Sequence, residues 1–144
     1  MNNENQEWEI IHTYTTAEAV EDGSLILVDE NISKEAGIKF PVYLTQQVFT
    51  KYVQVPEALK GMQDESGRLW DILYMFTRKA VKSNSAELDF EFVCMLPNAG
   101  NWERHEKRIS DMPHHREITL KAVIQGRDFD DPSPAIFIMK PNED

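Results

Sequence analysis

The chain has 144 residues, 41% of them hydrophobic and 28% charged, with a net charge of −10 and a single cysteine, Cys94. That length suits one domain with its own apolar core, and one cysteine excludes an internal disulfide or a multi-cysteine metal cluster. Residues 1–65 carry 12 acids and 4 bases (−8) while residues 66–144 carry 13 and 11 (−2), a balance that opposes long-range attraction to nucleic acid without excluding short-range contact by a basic loop.

The start from Met1 to Glu7 is polar and acidic, residues 1–9 read as a flexible tail, and no stretch approaches the ~20 apolar residues that span a bilayer. A soluble cytoplasmic protein with no membrane contact is the expectation. Thr15 and Glu18 have capping-box spacing, and Gly23 stands where a helix would end, so a first helix of about two turns is predicted. Leu25 to Val28 is a short apolar run suited to a buried strand, and Asn31 or Ser33 starts another turn ending near Gly37. Val48, Phe49, Tyr52 and Val53 share one face of a helix expected from Thr45, and Pro56 to Gly61 reads as one further turn.

The strongest helix signal begins at Ser66 and runs to Lys82. Leu69, Ile72, Leu73, Phe76 and Ala80 form its stripe, with Asp64 and Glu65 at its head and Arg78, Lys79 and Lys82 at its end, as the helix dipole favours. The period then changes to two. Leu88, Phe90, Phe92, Cys94 and Leu96 share one face, Ile118, Leu120, Ala122 and Ile124 another, and Ala135 to Met139 forms a last apolar run. The expected fold is a single α+β domain, 1–144, with helices packed on one face of a mostly antiparallel sheet of about four strands, the last three in a meander.

Two groups of residues are candidates for function. The connection 97–115 is about three times the usual ~4–6 residues. It carries Trp102, Arg104, His105, Lys107, Arg108, His114 and His115, a basic and aromatic set able to stack on a base or grip an acidic partner. Read structurally, it is a solvated, mobile insertion tucked down by Trp102 and Ile109, whose excision spares the fold. His105, His114 and His115, with Asp111 or Glu106, offer nitrogen and oxygen ligands to a divalent ion, but they lack metal-site spacing and the histidines read as surface groups, so no metal or cofactor is assigned. The second group is Asp64, Glu65, Arg68 and Asp71, which is able to do acid–base work but more simply explained as a helix cap with internal pairs. Cys94 reads as an inert core thiol, and no phosphate loop, dinucleotide fingerprint or nucleophile elbow is present.

Several blocks carry a resemblance. They are Tyr14-Thr15-Thr16-Ala17-Glu18-Ala19-Val20-Glu21-Asp22-Gly23, then Phe40-Pro41-Val42-Tyr43-Leu44-Thr45 leading to Val48, and Gln63-Asp64-Glu65-Ser66-Gly67-Arg68-Leu69-Trp70-Asp71-Ile72-Leu73. Weaker matches are Ile118 to Val123, Ile136 to Pro141, and Glu143-Asp144. Together they resemble a family of small uncharacterised prokaryotic proteins found in bacterial genomes, plasmids and phages. That resemblance implies a prokaryotic origin but no mechanism, and the chain departs from it in the long basic connection 97–115, which marks that loop as particular to this member.

By exclusion, the leading reading is a non-enzymatic interaction or regulatory protein of the kind mobile elements carry, with an unknown protein partner. The alternatives are a small enzyme using Asp64, Glu65, Arg68 and Asp71, helped by a histidine from 97–115, or an acidic mimic of nucleic acid displaying Glu18, Glu21, Asp22, Asp29, Glu30 and Glu35.

Overall fold

A computed structural model describes residues 15–97 and 102–143; the proposed tail 1–9 lies outside them. The first helix, α1 (Thr16–Glu21), is capped as its sequence predicts, with Thr15 Oγ1 accepting from the Glu18 N–H at 3.0 Å. It ends before Gly23, which adopts a φ of +86° that only glycine takes readily. Asp128, from the far end of the chain, accepts from the Thr16 and Ala17 N–H groups at 3.1 and 2.9 Å and ties the start of α1 to the sheet. Strand β1 (Leu25–Leu27) follows, then α2 (Glu30–Glu35), whose cap is Asp29 rather than Asn31 or Ser33.

Val42–Thr45 forms a strand, β2, just ahead of the expected helix. Thr45 then caps a single α-helical turn, α3 (Gln46–Val48), which widens into a π-helical turn over Phe49–Val53 closed by the Gln54 N–H to Phe49 carbonyl bond at 2.9 Å. A 3₁₀ turn, Glu57–Leu59, leads to the long helix α4 (Glu65–Ala80). The remainder is β3 (Glu87–Met95), β4 (Glu106–Ile109), β5 (Met112–Asp128) and β6 (Asp131–Met139).

The six strands make one open, mixed sheet, two more than expected: its order is β1-β2-β6-β5-β3, with β4 also paired to β5. All pairs are antiparallel except β2 with β6. The meander is present as β3, β5 and β6, with β4 inserted between its first two members. Alternation along the strands gives the sheet two apolar faces. Leu44, Ile138, Ile118, Leu120, Phe90 and Phe92 pack under α4, α2 and the π turn, where Ile72, Leu73, Phe76 and Tyr52 are buried. Tyr43, Ala135, Phe137 and Met139 pack on the opposite face against Val20 of α1. The helices therefore lie on both faces: a one-faced arrangement would leave Tyr43 and Phe137, stacked 5.1 Å apart, in water.

Arg68 binds α4 to its surroundings. It is 3% exposed, and its guanidinium donates to Gln63 Oε1 at 2.8 Å, to the Gln54 carbonyl at 2.8 Å and to the Met95 carbonyl. It thus joins the helix head to the end of the π turn and the end of β3. Replacing Arg68 with Leu should lower stability by about 2–4 kcal/mol, because two part-buried carbonyls lose donors at about 1–3 kcal/mol each. Asp71→Asn, on the solvent side of the same helix, should stay within about 0.5 kcal/mol; urea unfolding compares the two.

Candidate functional site

The long strand β5 is flanked on one edge by β3, paired over residues 115–123. Its other edge is shared end to end. Strand β6 covers it up to the Met139–Lys121 pair, and β4 takes over from the Glu106–Ile118 pair. At this seam the chain leaving β6 meets the chain entering β4, and the Thr119 N–H bonds the His105 carbonyl at 3.0 Å. Strand parity decides what faces the helices there. Arg116 precedes Ile118 and Leu120 on β5, and Lys140 follows Ile136 and Ile138 after β6, so both charged residues project under the helical layer. The π turn above supplies Lys51 and Tyr52. Such turns occur mostly as single-turn expansions of α-helices and are frequent at functional sites.

Glu106 is the centre of the group, with a fully buried side chain. Its carboxylate accepts from Arg116 Nη1 at 2.7 Å, from the Tyr52 hydroxyl and from the Glu103 N–H at 3.2 Å, and Lys51 Nζ lies 2.7 Å away. Lys51 also meets Glu103 Oε2 at 2.6 Å, and Lys140 Nζ reaches both Glu103 oxygens at 3.0 Å. Arg116 donates to the Pro97 carbonyl at 3.0 Å, and Trp102 lies with its ring centroid 3.9 Å from the Arg116 guanidinium and 4.9 Å from that of Arg108. His105 Nε2 sits 2.7 Å from the Tyr52 hydroxyl. One ligand-type atom from each of Glu103, His105 and Glu106 lies within 4.8 Å of the others. A cavity of about 660 Å³ adjoins the cluster, walled by Lys51, Glu103 and Arg116 on the charged side and by Trp102, Pro56 and Leu96 on the apolar side.

The electrostatics follow from burial and pairing. Burial opposes ionisation of Glu106, but donation from Lys51, Tyr52, Glu103 and Arg116 outweighs it and holds the carboxyl below its ordinary value. Glu103 is likewise pushed up by burial and brought below its ordinary value by Lys51 and Lys140. Burial, reinforced by Glu106, pushes the Tyr52 phenol far up, so it stays protonated. Partial burial lowers His105, against the pull of Glu103 and Glu106, and leaves a neutral imidazole at pH 7. Cys94, under the same layer, is pushed up to about 11 by burial, as an inert core thiol should be.

The structure divides the residues singled out from sequence. His105 enters the cluster, and Trp102 and Arg108 border it. Arg104, Lys107 and His114 are exposed, and His115 is half-buried opposite Met95. The expected solvated insertion is therefore corrected: within 97–115, residues 106–109 and 112–115 are sheet, and Glu106 inserts a carboxylate beneath the helices. Excision of 97–115 would remove β4 and the buried Glu106, so it is expected to cost stability rather than to spare the fold. At the head of α4, Asp64 caps the helix through the Gly67 N–H at 2.6 Å, Glu65 and Asp71 are exposed, and Arg68 makes the three bonds described above. Asp64, Arg68 and Asp71 share the wall of a groove of about 590 Å³, and no ion pair joins Arg68 to either acid. Sequence reasoning misses Lys51, Glu103, Arg116 and Lys140, places Tyr52 only on a core-facing helix face, and weighs Glu106 only as an oxygen ligand beside the loop histidines.

Stability should rise with pH across two windows. His105 binds a proton more readily unfolded than folded, so its contribution is complete above its ordinary value of 6.5 and is lost as pH falls toward the lower folded value. Glu103 and Glu106 contribute fully above their ordinary 4.5 and lose that contribution as pH falls through their lower folded values. Urea unfolding from about pH 8 to about pH 3 should show both declines, and His105→Gln should remove the first alone.

Among the described residues no helix is long and apolar enough to cross a membrane. No curated protein and no solved structure matches the chain. One family model does match, over residues 1–144, and it spans both the head of α4 and the 97–115 connection. The chain belongs to that family, a family of unknown function designated DUF6573.

Proposed function

We propose that this protein is a small enzyme acting on a small molecule that carries both an anionic group and an apolar part, and that its reactive centre is the cluster at the β4/β6 seam rather than the head of α4. The observation that carries this reading is the convergence of Glu103, His105 and Glu106 within 4.8 Å, ringed by Lys51, Arg116 and Lys140, beside a cavity of about 660 Å³. Apolar walls with a few converging polar groups are the usual form of a small-molecule site. Lys51 and Arg116 on its charged wall favour a ligand bearing an anionic group, and Trp102, Pro56 and Leu96 favour one with an apolar body.

The interaction or regulatory role, the protein partner and the carriage on a mobile element rest on exclusion and resemblance alone. The nucleic-acid mimic loses support because its acids separate. Glu18 and Glu21 lie on α1, against one face of the sheet, and Glu30 and Glu35 on α2, against the other.

A screen of small carboxylates, phosphates and amino acids by thermal shift and calorimetry tests the enzyme reading. Ligands should raise Tm in the wild type, and Glu103→Gln should change their affinity by about 10–100-fold, the range for a hydrogen bond to a charged group. A ligand whose affinity ignores Glu103, or a protein that responds to none, would count against the cavity.

A divalent cation held by Glu103, His105 and Glu106 is a second reading, favoured by the nitrogen and oxygen donors being so close. Against it, the Lys51 ammonium already lies 2.6 and 2.7 Å from the two carboxylates. Zinc titration should therefore give little heat with the wild type and measurable binding with Lys51→Met. Tight binding to the wild type would favour the metal reading.

A further inference from the structure

The Tyr52 hydroxyl carries one proton and has two close partners, Glu106 Oε2 and His105 Nε2. Glu106 is an ionised carboxylate held by Lys51 and Arg116, and a carboxylate can only accept. Were the phenol proton directed to His105, the phenol oxygen and the carboxylate oxygen would be two acceptors in contact with no hydrogen between them. The proton therefore lies between Tyr52 and Glu106. The phenol oxygen is left as the acceptor for His105, and Nε2 must be the nitrogen that bears hydrogen. A neutral imidazole has only one N–H, so Nδ1 keeps a bare lone pair, and that nitrogen has no partner among the described residues. The ring is half-buried, with its Nε2 side turned to buried Tyr52.

We propose that His105 is the proton-accepting group of this site, acting through Nδ1 in a tautomer fixed by the Tyr52–Glu106 pair. The assignment rests on the reading of the cluster as a reactive centre and names the atom at which it works. A proton leaves an X–H bond of a bound substrate or water for Nδ1, and its bonding electron pair stays on X. The imidazole becomes an imidazolium, N–H at both nitrogens, and later returns the proton. Ionised Glu103 and Glu106 stabilise the charged ring from the turn before β4 and from β4 itself. Lys51 on the π turn, Lys140 after β6 and Arg116 on β5 oppose it. Tyr52 acts as a positioning residue: it aligns the ring and does not touch the reacting atom.

Long-range ¹H–¹⁵N correlation spectra of the histidine side chains test this directly on the whole chain. At pH 7.5 His105 should show a pyrrole-type Nε2 and a pyridine-type Nδ1, and should titrate below 6.5, the ordinary value. Tyr52→Phe, which removes the acceptor oxygen, should replace the single tautomer by a mixture, while His114 keeps its wild-type spectrum. If Tyr52→Phe fails to fold, Lys140→Met serves instead. It leaves the tautomer unchanged but raises the His105 titration point by removing an opposing charge. An Nδ1–H tautomer or an imidazolium at pH 7.5 in the wild type would overturn the proposal, as would a tautomer indifferent to Tyr52→Phe. The broader enzyme reading fails separately: a locked Nε2–H tautomer with no ligand from the screen leaves His105 as assigned and removes the cavity. A ligand bound beside an Nδ1–H ring leaves the cavity and removes the assignment.

Discussion

The Glu106 carboxylate is the point on which this half of the molecule depends. It joins the π turn through Lys51 and Tyr52, β5 through Arg116, and its own approach segment through the Glu103 N–H. A fully buried carboxylate is tolerable only when its lone pairs are met and its charge is balanced, and here two cations, a phenol and an amide do both. The contacts are therefore mutually dependent. Until β4 has paired with β5, Arg116 has no carboxylate to meet beneath the helical layer. Until the π turn has closed, Glu106 lacks Lys51 and Tyr52.

The seam itself follows from the lengths of the strands. Strand β5 is 17 residues long and β6 is 9, so β6 cannot cover the whole edge. The uncovered part must find another strand or stay a bare edge, which is an invitation to unwanted pairing. Strand β4 fills it, and two chain segments then arrive nose to nose with their side chains converging under one helical turn. Polar residues gathered at a break in a sheet edge have both a rigid floor and an approach from solvent. A continuous strand would give only the floor.

The scaffold was readable because its signals are local. The Leu69, Ile72, Leu73, Phe76 stripe, the Thr15–Glu18 box and the alternation of Leu88 to Leu96 each specify their element within a few residues of sequence. Strand β2 was hidden because Val42-Tyr43-Leu44 is buried on both faces and shows no alternation, and the Thr45 that ends it also caps the next helix. The cluster was hidden for a different reason. Its members stand at 51, 52, 103, 105, 106, 116 and 140, brought together by pairing that no window of sequence displays. One signal was nonetheless present. Extending the parity of Ile118, Leu120 and Ala122 two residues back places Arg116 on the core side, and extending that of Ile136 and Ile138 places Lys140 there. A charged residue at a core-facing strand position needs a buried partner, and the basic stretch 97–115, with Glu103 and Glu106 in it, was the place to look for one. The length and bases of that stretch point instead to Arg104, Lys107 and His114, which are exposed.

The fold does not require a polar seam. Elsewhere under the same helical layer the sheet is closed by Val42, Leu44, Ile136 and Ile138, all nearly inaccessible to solvent and all apolar, and such packing stabilises at least as well as a buried ion network. Five ionised groups, a phenol and an imidazole at the β4/β6 junction therefore bring no stability that aliphatic side chains of similar volume would not. What they do bring is a fixed arrangement of donors and acceptors, a histidine with one nitrogen committed and one bare, and an adjoining cavity lined by Lys51, Glu103 and Arg116 from among them. The head of α4 presents the opposite case. Its arginine is spent on backbone carbonyls and its first aspartate on a helix cap, so the charges there are accounted for by holding the helix in place. The charges at the head of α4 hold a helix and border only a groove, whereas the paired charges at the seam surround a histidine and adjoin a cavity, and that contrast is what supports placing the proposed reactive centre at the seam.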